Sequence, residues 1–308
     1  MTEQEQPVSV QARYERAVER LTDVLKQDRT LLAAILCGSL AYDEVWEKSD
    51  IDLVIVGDET HKSKSHYLVE DGINIHAIVT PRSAFHKEVE GGLRGAFFHS
   101  YIARSRLLYT HDESLRALYD DLGRVGSRDR VAQLLRLTGT VLWALPKAEK
   151  WFAVKRDLRY SFVYLLHCAN GLASLEVTAA GEIPGREVIH QALRCNPAFF
   201  GKIYTDLIDG PKDEAAIGGA LEAINAYLEE RIPLFFGPVL EYLEEAGTPR
   251  SATEIDSHFR NVVQAESVAG VCEWLSEKGV IEKVSAPLRL SEKSRVAVQE
   301  AAFCYLPD

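Results

Sequence analysis

The sequence sets two carboxylates one residue apart at the start of an apolar strand, Ser49-Asp50-Ile51-Asp52-Leu53-Val54-Ile55-Val56. In an extended chain residues i and i+2 project to the same face. Asp50 and Asp52 therefore stand side by side, while Ile51, Leu53 and Ile55 face the other way. Adjacent carboxylates repel each other, and a lone one inside a strand pattern is costly to desolvate. A hard divalent cation such as Mg2+ resolves both problems, because it takes oxygen ligands and shares them with substrate phosphates. Upstream, the apolar run Leu31–Cys37 ends in Gly38-Ser39. Such a small turn lets a phosphate approach the backbone and offers N–H and hydroxyl donors. A phosphate grip beside a metal clamp points to chemistry on a nucleoside triphosphate.

The rest of the composition narrows the class. A chain of 308 residues is long enough for two or three domains. A net charge of −11 argues against a general nucleic-acid binder, though it leaves room for one local basic cleft. The polar start Met1–Pro7 is unlike a signal peptide, and no apolar run reaches the length of a membrane span. Cys37, Cys168, Cys195, Cys272 and Cys304 are scattered and make neither a metal-type pair nor a disulfide framework. The expectation is buried, reduced thiols in a cytoplasmic protein.

The pattern predicts an α+β protein in three parts. Residues 1–120 read as a small mixed β-sheet domain. It has an amphipathic helix over Ser9–Lys26, strands at Leu31–Cys37 and Ile51–Val56, and a hairpin of Tyr67–Glu70 and Ile73–Val79 around Asp71-Gly72. Pro81 should end the second arm, and Arg106–Tyr109 reads as one more short strand. Residues 121–247 read as an α-helical bundle. One helix there covers Val131–Leu145 and is stopped by Pro146, and one long helix covers Glu149–Ala179. Residues 248–308 read as a winged-helix-like domain. Its signs are capping-box spacing at Ser251–Glu254, helices at Thr253–Asn261 and Ser267–Lys278, and a hairpin of Val280–Val284 and Leu288–Val298 around Ala286-Pro287. Over residues 251–308, six basic residues against nine acidic ones favour packing or protein contact over DNA binding.

Gly38-Ser39 followed by Asp50-Ile51-Asp52-Leu53 resembles the signature of the DNA polymerase beta-type nucleotidyltransferase superfamily. The helical region that follows is similar in layout to the second domain of the branch with small-molecule acceptors, which includes the aminoglycoside and lincosamide nucleotidyltransferases. The motif resemblance covers roughly residues 30–110. It implies that Gly38 and Ser39 hold the triphosphate, that Asp50 and Asp52 bind Mg2+ or Mn2+, and that pyrophosphate leaves. The superfamily usually places a third carboxylate on a later strand. Here the corresponding strand, Ile73–Val79, offers His76, with Asn74 on the same face. Three readings stay open for His76: a ligand better suited to manganese or zinc, a general base for an acceptor hydroxyl, or a histidine simply satisfied by Asp50 or Asp52.

A second cluster, Lys147, Glu149, Lys150, Lys155, Arg156, Asp157 and Arg159, is locally basic. Most of it fits a solvated helix face with i,i+4 ion pairs. At a domain junction, Lys150 and Lys155 would reach the β- and γ-phosphates, and Glu149 would serve as base if His76 does not. Trp151, Phe152, Tyr160, Phe162 and Tyr164 read as bundle core. The leading expectation is a metal-dependent enzyme that moves AMP from ATP, or a nucleotide from another triphosphate, to a small hydroxylated acceptor bound beside the bundle. The alternative is a catalytically weak or inactive nucleotide-binding regulator of the same fold. The sequence leaves a homodimer open.

Overall fold

The computed structural model describes residues 9–42, 44–92, 102, 105–121, 127–291, 293 and 295–306. The chain divides into two compact units, Met1–Gly126 and Ser127–Asp308. No helix among the described residues is long and apolar enough to cross a membrane.

In the first unit, helix α1 (Val10–Leu25) starts where the Ser9 side chain accepts from the Ala12 N–H. Strand β1 (Leu31–Cys37), the single turn α2 (Gly38–Ala41), β2 (Ile51–Gly57), β3 (Lys64–Glu70), β4 (Ile73–Pro81), α3 (Arg82–Gly92), β5 (Arg106–Thr110) and α4 (Glu113–Asp121) follow. The sheet is mixed and runs β3-β4-β2-β1-β5, with β2 parallel to β4 and the other pairs antiparallel. The Asp71-Gly72 hairpin forms as expected, with Asp71 and Gly72 both at positive φ, and Pro81 closes β4. Alternation along the strands gives the sheet two apolar faces. Leu36, Ile51, Leu53, Ile55, Ile75 and Ala77 pack with Tyr14, Ala17 and Val18 of α1. Ala33, Ile35, Cys37, Val54 and Val56 pack with Phe85 and Val89 of α3 and with Leu115 of α4.

The second unit begins with α5 (Ser127–Ala153) and α6 (Leu158–Ala179), which pair closely. The expected stop at Pro146 and the single helix over Glu149–Ala179 are both corrected: α5 runs through Pro146, and the break comes at 154–157. Pro146 is exposed, so water can serve the carbonyl that its missing N–H leaves unbonded. The chain turns where Arg156 adopts a φ of 53° and the Asp157 carboxylate accepts from the Tyr160 N–H at 3.0 Å, capping α6. Trp151 and Phe152 therefore lie on α5, apart from Tyr160, Phe162 and Tyr164 on α6. Tyr160 is 52% exposed rather than core and stacks on Trp151 at 4.6 Å.

Next come α7 (Val188–Cys195), α8 (Pro197–Phe200), a π-helical turn (Gly201–Thr205), α9 (Asp206–Asp209), α10 (Glu214–Glu229) and α11 (Ile232–Ala246). Helix α11 runs through Pro238, which is tolerated inside it. Strand β6 (Arg250–Ser251), α12 (Ala252–Val263), α13 (Val268–Glu277), β7 (Glu282–Leu288) and β8 (Val298–Cys304) complete the chain. The capping box is real: Ser251 and Glu254 bond each other's backbone N–H. The expected turn at Ala286-Pro287 is corrected, because both residues lie within β7. The sheet order β6-β8-β7 makes β7 an edge strand, where proline leaves no ladder bond unmade. All five cysteines are free thiols.

Candidate active site

Asp52 is the second residue of β2, and its neighbours on both sides are fixed by register. It pairs with Cys37 across β1 and with His76 across β4, and His76 pairs in turn with Tyr67 across β3. Cys37, Asp52, His76 and Tyr67 thus form one row across the sheet. Alternation puts that row on the face shared by Val54 and Val56. Asp52 and His76 are both partly buried, and His76 Nδ1 lies 3.6 Å from Asp52 Oδ1. The Tyr67 and His76 rings stack at 5.1 Å with an interplanar angle of 22°.

Gly38 lies against the same carboxylate. Its φ is +71°, and a β-carbon there would overlap Asp52 Oδ2 and sit 3.2 Å from Asp52 Cγ. Glycine is required on both counts, which explains why the β1–α2 turn carries it. Ser39 follows in α2 and is partly exposed, and its carbonyl accepts from the N–H groups of Tyr42 and Glu44. Asp50 sits just before β2 and is exposed. The segment leading to it is tied down by Tyr14 of α1, whose hydroxyl donates to the Ser49 carbonyl at 2.7 Å. Burial pushes the Tyr14 phenol up, Arg13 opposes, and the negative charges of Asp50 and Glu47 add to the rise. The buried Cys37 thiol is likewise pushed well above its ordinary value, first by burial and then by the charge of Asp52.

Among the described residues, no group of three or more His, Cys, Asp or Glu side chains is arranged as a metal cage. Two carboxylates completed by substrate phosphates suit Mg2+ or Mn2+ without one. The donor set fits that use: hard oxygens on Asp50 and Asp52, and a glycine that keeps the approach to Asp52 clear of a side chain.

Residues 19–114 match the family model described as polymerase beta, nucleotidyltransferase. That stretch holds Gly38, Ser39, Asp50, Asp52, Tyr67 and His76, so the first unit carries a nucleotidyltransferase-like domain. A search of the curated proteins gave no match. Among solved structures, the crystal structure of a nucleotidyltransferase-like protein from Exiguobacterium sibiricum 255-15 is similar, with a TM-score of 0.64 at 14% identity. The match covers 96% of this chain and 100% of that one. At that identity the likeness is one of fold.

The remaining sequence candidates belong to the second unit. Glu149 accepts a hydrogen bond from Asn225 Nδ2 at 2.9 Å and lines a cleft of about 400 Å³ with Phe152, Glu222 and Lys278. Lys150 is exposed in the last turn of α5, where its carbonyl accepts from the N–H groups of Val154 and Lys155. Lys155 is exposed in the turn that follows. Nearby, Lys147 lies over the Trp143 ring, 3.7 Å from its centroid, and so belongs to an aromatic cluster.

Tyr14 and Tyr67 are the site residues that sequence reasoning missed. Tyr14 reads as one more apolar position of an amphipathic helix, and nothing local shows that its hydroxyl reaches a segment some 35 residues away. Tyr67 was within reach, because a two-residue Asp71-Gly72 turn sets Glu70 opposite Ile73 and hence Tyr67 opposite His76.

Proposed function

We propose that the protein transfers a nucleoside monophosphate, AMP from ATP in the first instance, to a hydroxyl of a small acceptor with release of pyrophosphate. The observation that supports this most is Asp52 lying directly against a side-chain-free Gly38, with Asp50 two residues before it and His76 beside it. Asp50 and Asp52 would hold Mg2+ or Mn2+, which when bound neutralises phosphate charge and favours attack at the α-phosphorus. Gly38 and Ser39 orient the triphosphate. The acceptor oxygen attacks in line, its new bond to phosphorus forms as the bond to the β-phosphate oxygen breaks, and pyrophosphate carries away the electron pair. His76 receives the acceptor proton. A small acceptor, rather than a nucleic acid, agrees with the chain's net charge of −11 and with the layout of the helical region, which is similar to that of the small-molecule branch.

The test is calorimetry with ATP and Mg2+, together with pyrophosphate release across a panel of hydroxylated acceptors, on wild type, Asp50→Asn and Asp52→Asn. The expected result is metal-dependent binding and release in wild type, and release lowered at least about a hundredfold in each variant. Metal-independent binding that both Asp variants retain would refute the proposal. A second reading, binding without turnover, is motivated by histidine at the third position; tight binding with no release from any acceptor would select it.

A further inference from the structure

The β3–β4 hairpin carries an aromatic ring, Tyr67, to which the transfer chemistry assigns no role. Tyr67 is 84% exposed on the edge strand β3, so burial alone does not account for a ring there. Its face lies on His76, at 5.1 Å and 22°. His76 is touched at a second point, because Nδ1 lies 3.6 Å from Asp52 Oδ1. A histidine ring turns about a broad, roughly two-fold torsion, and one contact at one nitrogen does not fix its plane. A face contact and an edge contact together do. With Nδ1 the ring nitrogen placed toward Asp52, Nε2 is the one left to face an acceptor. The register Tyr67–His76–Asp52 is set by backbone pairing across three strands, so the three side chains meet without any loop having to order.

We propose that Tyr67 is a positioning residue: its ring holds the plane of His76 so that Nδ1 stays on Asp52 and Nε2 serves the acceptor hydroxyl. The inference rests on the nucleotidyl-transfer reading and adds to it a residue outside the acidic motif.

The test uses the full chain with histidine ring carbons labelled, and His76→Gln assigns the His76 signals. Tyr67→Leu removes the aromatic face, and Tyr67→Phe keeps it. Because Tyr67 is exposed, both variants are expected to match wild type in circular dichroism. In Tyr67→Leu the His76 ring-proton signals should move downfield as the ring current is lost, while Tyr67→Phe leaves them near their wild-type positions. With an active acceptor, Tyr67→Leu should lower kcat about ten- to a hundredfold with KM for ATP unchanged, and Tyr67→Phe should restore kcat. Unmoved His76 signals in Tyr67→Leu overturn the proposal, as does an unchanged kcat or an equal loss in Tyr67→Phe. Mn2+ titration separates the two levels of the claim. If Mn2+ with ATP broadens the His76 signals in wild type but not in Asp52→Asn, the site reading stands whatever Tyr67 does. If His76 moves in Tyr67→Leu but wild type releases no pyrophosphate from any acceptor, the transfer reading fails and the ring contact survives it.

Discussion

Gly38 gives Asp52 its room. The turn residue sits at φ +71°, and a methyl group on it would overlap the Asp52 carboxylate. A left-handed conformation costs a residue with a side chain about 1–2 kcal/mol, and the overlap forces the carboxylate to move as well. Gly38→Ala is therefore expected to lower stability by about that amount and to weaken Mn2+-dependent ATP binding at least about tenfold. Urea denaturation and calorimetry check the two effects separately. Unchanged binding would mean that Asp52 holds no metal.

Tyr14 acts on the other carboxylate, through the backbone. Its side chain is buried in the α1 interface, and its hydroxyl donates to the Ser49 carbonyl one residue before Asp50. Tyr14→Phe keeps the ring and removes that bond, for a loss of about 0.5–1.5 kcal/mol. Because the bond anchors the segment carrying Asp50, ATP affinity in the presence of Mn2+ should fall severalfold while the fold persists. Calorimetry beside a denaturation curve reads both.

The first unit was legible where the signal was local. The apolar runs of β1 and β2 and the Asp71-Gly72 turn each carry their own physical instruction, and each forms as written. Ser251 and Glu254 did the same for the start of α12. What escaped depends on context. Pro146 looks like a helix stop and Pro238 like a helix start, but both lie within helices, and Pro287 looks like a turn but occupies an edge strand. The break at 154–157 hides among good helix formers, where Asp157 outweighs them by capping α6. Sequence reasoning, through strand parity, put Asp52 and His76 on one face of the sheet, as the β2–β4 register has them, while Asp50 lies just before β2. It missed how Gly38, Tyr14 and Tyr67 support them, because those contacts span 14 to 35 residues or depend on the ring faces.

Two glycines in helices of the second unit should respond oppositely to alanine. Gly171 is buried in α6 against α5, and a β-carbon there would lie 2.9 Å from both Thr140 Oγ1 and Val141 Cγ2. Separating two packed helices costs about 1–3 kcal/mol, more than the roughly 1 kcal/mol gained in helix propensity. Gly270 in α13 is exposed, has nothing within 4 Å of its β-position and does not precede a proline. Gly171→Ala should lower the unfolding midpoint and Gly270→Ala raise it, as read by calorimetric melting.

The buried thiols set an alkaline limit on stability. Burial pushes Cys168 up to about 12, with the charge of Glu149 adding, and pushes Cys272 up to about 12, with Asp256 and Glu273 adding. In the unfolded chain each thiol titrates near ~8.5. Above that pH the unfolded state sheds protons that the folded state keeps, so the unfolded state is favoured as pH rises. The contribution is complete below pH ~8.5 and is lost progressively toward 12, at about 1.4 kcal/mol per pH unit for each thiol. Urea midpoints should therefore be flat from pH 7 to 8 and fall steeply from pH 9 to 10.5. Cys168→Ala and Cys272→Ala should each flatten that fall, whatever they cost in packing at neutral pH. If the double variant keeps the wild-type slope, the thiols are not its source.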